Sequence, residues 1–118
     1  MYGLPSGTNL DFIKDAILIQ ACFGPFDLIL NFDQNVSISI WSSVAVGRIG
    51  TNLLRHKSSR EISRKILRLL NRPVLNIEWT PSGTVSLKFE GNDLLEFYDD
   101  NEAYESYTIS SPAGLIVV

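Results

Sequence analysis

Hydrophobic and polar side chains alternate along two stretches early in the chain. Phe26, Leu28, Leu30 and Phe32 are separated by Asp27, Ile29 and Asn31; Val36, Ile38 and Ile40 are separated by Ser37 and Ser39. A period of two puts alternate side chains on opposite faces of a strand, so the pattern predicts strands over 26–33 and 35–42. Asp33-Gln34-Asn35 lies between them, and such side chains hydrogen-bond their own backbone and tolerate left-handed geometry. The two strands therefore read as an antiparallel hairpin. An apolar run over 16–23, joined through Gly24-Pro25, predicts a strand before it.

The theme returns after residue 72. Val74, Leu75, Ile77 and Trp79 precede the turn Pro81-Ser82-Gly83, and Val85, Leu87 and Phe89 alternate with Ser86, Lys88 and Glu90. Gly91-Asn92-Asp93 predicts another turn. Strands are expected over 94–98 and 104–109, and a packed apolar run over 115–118. The region 73–118 reads as a meander. Between the two halves, Ile62, Ile66, Leu69 and Leu70 fall at helical spacing, with Arg60, Arg64, Lys65, Arg68 and Arg72 on the other face. Ser58 and Glu61 have the spacing of a capping box, and Pro73 disfavours helical geometry at Arg72. A helix near 59–72 follows. Residues 43–57 hold Gly47 and Gly50 and no clean period, and read as a long connection.

These elements predict an α+β fold: a mostly antiparallel sheet of about seven or eight strands in two meanders, with one main amphipathic helix. The pattern leaves open whether the strands form one curved sheet or two packed sheets. A length of 118 residues suits a single domain spanning 1–118. Hydrophobic residues at 45% and charged residues at 19% argue against a disordered chain. No apolar stretch approaches the roughly 20 residues that cross a bilayer. The first fifteen residues carry Lys14 as their only base, unlike a secretory leader. With Cys22 the only cysteine, the expected compartment is the cytoplasm, and Asn35-Val36-Ser37 is then a turn and not a glycosylation site.

The net charge of −3 conceals a partition. Residues 1–47 carry −3, residues 48–72 carry +7, and residues 73–118 carry −7. Glu90, Asp93, Glu96, Asp99, Asp100, Glu102 and Glu105 fall within sixteen residues, interleaved with Tyr98, Tyr104 and Tyr107. Carboxylates steer encounter with a basic protein and tyrosines anchor it, so Glu90, Asp93, Glu96, Asp99, Asp100, Glu102, Tyr104 and Glu105 are the candidate partner-binding residues. The basic and acidic blocks can instead neutralise one another across the fold. A nucleic-acid-binding or regulatory domain using the basic helix 60–72 is the alternative function, against which the overall acidity counts.

Catalytic chemistry finds little support. His56, the only histidine, lies between Arg55 and Lys57 with no carboxylate beside it in sequence. Cys22, within an apolar strand, reads as a small buried hydrophobe. Gly47-Arg48-Ile49-Gly50-Thr51 lacks the ending of a phosphate loop, and Asp99-Asp100-Asn101-Glu102 lacks the spacing of a calcium loop. Trp41 and Trp79 read as core or half-core anchors. No catalytic residue, metal ligand or cofactor is assigned.

Three stretches carry a resemblance: Ile19-Gln20-Ala21-Cys22-Phe23-Gly24-Pro25-Phe26-Asp27-Leu28-Ile29-Leu30-Asn31-Phe32, Val36-Ser37-Ile38-Ser39-Ile40 and Tyr104-Glu105-Ser106-Tyr107-Thr108-Ile109. With the helix and Gly-turn hairpin between them, the chain resembles small bacterial proteins of unknown function found among the immunity proteins of polymorphic-toxin and contact-dependent growth-inhibition systems. That resemblance covers most of the chain apart from 43–57 and supplies no catalytic residues. It implies a non-enzymatic cytoplasmic inhibitor of a cognate protein toxin, often a nuclease with a basic cleft. The +7 segment does not follow from it.

Overall fold

The structure is a computed structural model that describes residues 3–118. Among the described residues nine antiparallel strands, and not the seven or eight expected, form two sheets. The first sheet contains β1 (Leu18–Phe23), β2 (Leu28–Phe32), β3 (Ser37–Ile40), β8 (Tyr107–Ser111) and β9 (Gly114–Val117), in the order β1-β2-β3-β8-β9. The second contains β4 (Val44–Arg48), β5 (Val74–Trp79), β6 (Val85–Phe89) and β7 (Asp93–Phe97), in the order β4-β7-β6-β5.

The hairpin read from alternation forms as expected. Leu30 pairs with Ile38 and Leu28 with Ile40, which turns Leu28, Leu30, Phe32, Ile38 and Ile40 onto the buried face. Gln34 and Asn35 adopt φ of 61° and 59°, the left-handed pair that a tight hairpin turn requires. Phe26, however, lies before β2 and points outward. Tyr107 and Ile109 of β8 continue the buried face, and Val85, Leu87, Phe89, Leu95 and Phe97 of the second sheet close over it as one cluster.

Three sequence expectations are corrected. Segment 43–57 is not all connection, because it contains β4, whose Val44, Ala45 and Val46 are all buried and so show no alternation. The chain after residue 72 is not one meander. β5, β6 and β7 form one, but 98–106 carries the chain across to the first sheet, where β8 pairs with β3. The helix is also shorter than 59–72: a 3-10 turn, Ser59–Ile62, leads into α1 (Ser63–Leu67). Ser58 makes no side-chain cap, and Asn71 turns left-handed at φ 67° ahead of Pro73. Ile62, Ile66 and Leu69 are nevertheless buried, as their spacing predicts. α1 contacts β1 and β4, one edge strand from each sheet.

The chain changes sheets at Trp41-Ser42-Ser43, between β3 and β4, and again over 98–106, between β7 and β8. Side chains of both crossings line one cleft.

Candidate binding cleft

The eight candidate residues do not form one patch. Glu90 and Asp93 flank the turn before β7, while Asp99, Asp100, Glu102, Tyr104 and Glu105 follow its far end. Asp93 and Phe97, the two ends of β7, are four residue steps or about 14 Å apart, and the second group begins beyond Phe97. Asp93 is only 7% exposed. Arg72 Nη1 donates to its Oδ2, and Arg48 Nε lies 3.9 Å from its Oδ1. Glu90 is exposed beside this pair. Glu96, half-buried on β7, accepts from Ser86 Oγ at 2.9 Å and from the Tyr98 hydroxyl at 2.7 Å.

The remaining residues belong to the 98–106 crossing, and its backbone is held by its own polar side chains. Asp99 accepts from Gly3 N at 2.7 Å and from Ser106 Oγ at 2.6 Å. Asp100 Oδ1 accepts from Ser43 N at 3.0 Å, and its Oδ2 faces Arg55 Nη1 at 3.6 Å. Asn101 Oδ1 accepts from the backbone of Ala103 and Tyr104, and its Nδ2 donates to the Trp41 carbonyl at 3.2 Å. This framework leaves Glu102, Tyr104 and Glu105 projecting outward, and ordering a loop in advance lowers the entropy lost on binding. Below it, the Arg55 guanidinium lies 3.7 Å from the centre of the Tyr98 ring. Burial raises the Tyr98 hydroxyl well above the usual tyrosine pKa, Glu96 adds to the rise, and Arg55 partly offsets it.

The cleft beside this loop has a volume of about 900 Å³. The β1–β2 turn supplies Phe26 and Asp27, the first crossing Trp41 and Ser42, and the second Tyr104 and Glu105. Three rings rim it: Phe26 is 87% exposed, Tyr104 79% and Trp41 39%. Large apolar side chains gathered around a concave, mostly apolar surface mark a recognition site more strongly than scattered ones. Ser42 lines the cleft at 7% exposure, and its hydroxyl is the only buried side-chain polar atom without a partner among the described residues. Of these features, sequence reasoning found Tyr104, Glu102 and Glu105. It assigned Phe26 to a strand, read Trp41 as a core or half-core anchor, and did not single out Ser42.

The basic segment divides as well. Arg48, Arg55 and Arg72 face carboxylates, whereas Arg60, Arg64, Lys65 and Arg68 are exposed and form no ion pair among the described residues. His56 Nδ1 lies 3.3 Å from Glu61 Oε2, so the expected capping carboxylate is turned to the histidine. His56 lines a smaller pocket of about 280 Å³ with Arg48, Lys65 and Arg68. Cys22 is half-buried opposite Ile29, on the face of the first sheet turned away from the core, and not the buried hydrophobe expected. No helix among the described residues is long and apolar enough to cross a membrane. No protein-family model matches the chain, and it matches no curated protein and no solved structure.

Proposed function

We propose that this chain is a non-enzymatic binding protein, an immunity-type inhibitor that acts in the cytoplasm by occupying a cognate protein toxin. The exposure of Phe26 and Tyr104 on the rim of one apolar cleft, beside Glu102 and Glu105, carries this reading. Aromatic anchors at the centre of an interface supply most of its affinity, and surrounding carboxylates speed encounter with a cationic surface such as a nuclease cleft. Within the candidate set, Glu102, Tyr104 and Glu105 are free to meet a partner. Asp99 and Asp100 hold the loop that presents them, Glu96 bonds Tyr98 at the start of that loop, and Glu90 and Asp93 lie at the opposite end of β7.

Co-production with a toxin encoded beside its gene tests the proposal. Restored growth and a stable complex are expected, with Glu102→Lys/Glu105→Lys weakening the complex about a hundredfold while leaving the thermal transition unchanged. Unprotected cells and no complex would overturn it.

A second reading rests on Arg60, Arg64, Lys65 and Arg68 of the helical segment, exposed cations that form no ion pair among the described residues. Nucleic-acid binding through them predicts retention of single- or double-stranded DNA or RNA at low salt that falls steeply as salt rises. No retention at low salt would dispose of it.

A further inference from the structure

The cleft has features that a flat acidic patch would not need. Its volume of about 900 Å³ is near the top of the roughly 300–1,000 Å³ usual for ligand pockets, which is room for more than one side chain. Phe26, Trp41 and Tyr104 offer ring surfaces from three separate segments. Native structures seldom leave a buried hydroxyl unmatched, yet that of Ser42 has no partner among the described residues. Rotation among the staggered positions of its side chain needs no backbone movement, so an occupant of the cleft can supply the missing bond.

Charge narrows the occupant. Asp27 and Glu105 line the cleft, and Glu102 continues the same rim around Trp41 and Ala103. Lys57 is the one cation in the lining among the described residues. Arg55 and Asp100 face each other at 3.6 Å and add no net charge. The rim therefore carries an excess of negative charge around an aromatic interior.

We infer that the cleft receives an extended segment of the partner protein in which a tryptophan or tyrosine lies between cationic residues. Its ring packs among Phe26, Trp41 and Tyr104, and its N–H or O–H bonds to Ser42 Oγ. The flanking cations meet Asp27, Glu102 and Glu105. The inference rests on the protein-binding reading and specifies what that partner inserts.

Two blocked peptides serve as probes for the isotopically labelled full chain, one with tryptophan between arginines and one with tryptophan between glutamates. The arginine peptide should give saturable amide shifts at millimolar concentration at Trp41, Ser42, Asn101 and Tyr104, and the glutamate peptide should bind about tenfold more weakly. Phe26→Ser, at an exposed position where folding is not at risk, should lower affinity for the arginine peptide about tenfold. Ser42→Ala should lower it about fivefold without loss of stability, since it removes an unmatched polar atom. Absence of saturable shifts, equal binding of the two peptides, or wild-type affinity in Phe26→Ser overturns the inference. A toxin complex that survives Phe26→Ser but is lost in Glu102→Lys/Glu105→Lys overturns the inference alone and leaves protein binding standing. Failure of the wild-type chain to form any complex removes the parent reading.

Discussion

The Tyr107 hydroxyl, carried on β8 of the first sheet, donates a buried hydrogen bond of 2.9 Å to the Gly83 carbonyl in the β5–β6 turn of the second. The same ring meets Phe97 of β7 edge to face, with centroids 4.7 Å apart and planes at 80°. One side chain therefore joins the two sheets by both a polar and an aromatic contact. Tyr107→Phe keeps the ring pair and leaves the Gly83 carbonyl unmatched. The expected loss is about 1.5 kcal/mol and roughly 5 °C in Tm, read by thermal and denaturant unfolding. An unchanged transition would mean that the bond adds nothing to stability.

Tyr98 and Tyr107 both hold their protons more tightly than an ordinary tyrosine, mainly because both are buried, with Glu96 adding at Tyr98 and Asp99 at Tyr107. In the unfolded chain these hydroxyls ionise near pH 10, while the folded chain keeps them neutral. Above that pH the unfolded state binds fewer protons, so stability is fully present below about pH 10 and falls as pH rises beyond it. Tyrosinate absorbance for these two residues should appear together with loss of tertiary structure. Full ionisation in a still-folded chain would contradict this.

Gly83 adopts φ of 96°, and a Cβ built there would lie 2.7 Å from Asp99 Cβ. Gly83→Ala adds backbone strain and pushes on the carboxylate that holds Gly3 N and Ser106 Oγ. A loss of about 2–3 kcal/mol is expected. Gly50→Ala provides the comparison: φ is 85° but nothing lies within 4 Å, so only the backbone cost of about 1 kcal/mol applies. Equal losses at the two sites would show that the contact with Asp99 does not matter.

Asp93 stands between Arg72 and Arg48 at the start of β7. Asp93→Asn leaves Arg72 without its carboxylate. Arg72 is partly exposed, which lowers the cost below that of a wholly buried pair, to about 2 kcal/mol. Glu90→Gln, at the exposed neighbour, should stay within about 0.5 kcal/mol. Urea titration of the two variants decides whether Asp93 is a structural residue.

What the sequence showed depended on whether one segment was enough to carry the signal. The β2–β3 hairpin was readable because its alternation and the turn at Gln34 and Asn35 are local. β4 was not, because Val44, Ala45 and Val46 are all covered and lack a period. Alternation extended back to Phe26 misplaced it in the strand, whereas the Gly24-Pro25 turn sets it outside. The Ser58 and Glu61 spacing suggested a cap, but Glu61 is drawn to His56. At the cleft, composition pointed to Tyr104, Glu102 and Glu105. Phe26, Trp41 and Ser42 reach it from other segments, which are brought together by the long-range pairings of β3 with β8 and β4 with β7 and by the bonds of Asp100 to Ser43 and Asn101 to Trp41.

The two sheet crossings also bear on mechanics. Trp41-Ser42-Ser43 and 98–106 are the covalent straps that pass from β3 to β4 and from β7 to β8, and residues from both form the cleft walls. A body wedged between them grips both layers and resists their sliding apart. With its cleft occupied, the chain would then be harder to pull open or digest than when empty, and the gain would come from slower opening and not from new interior packing.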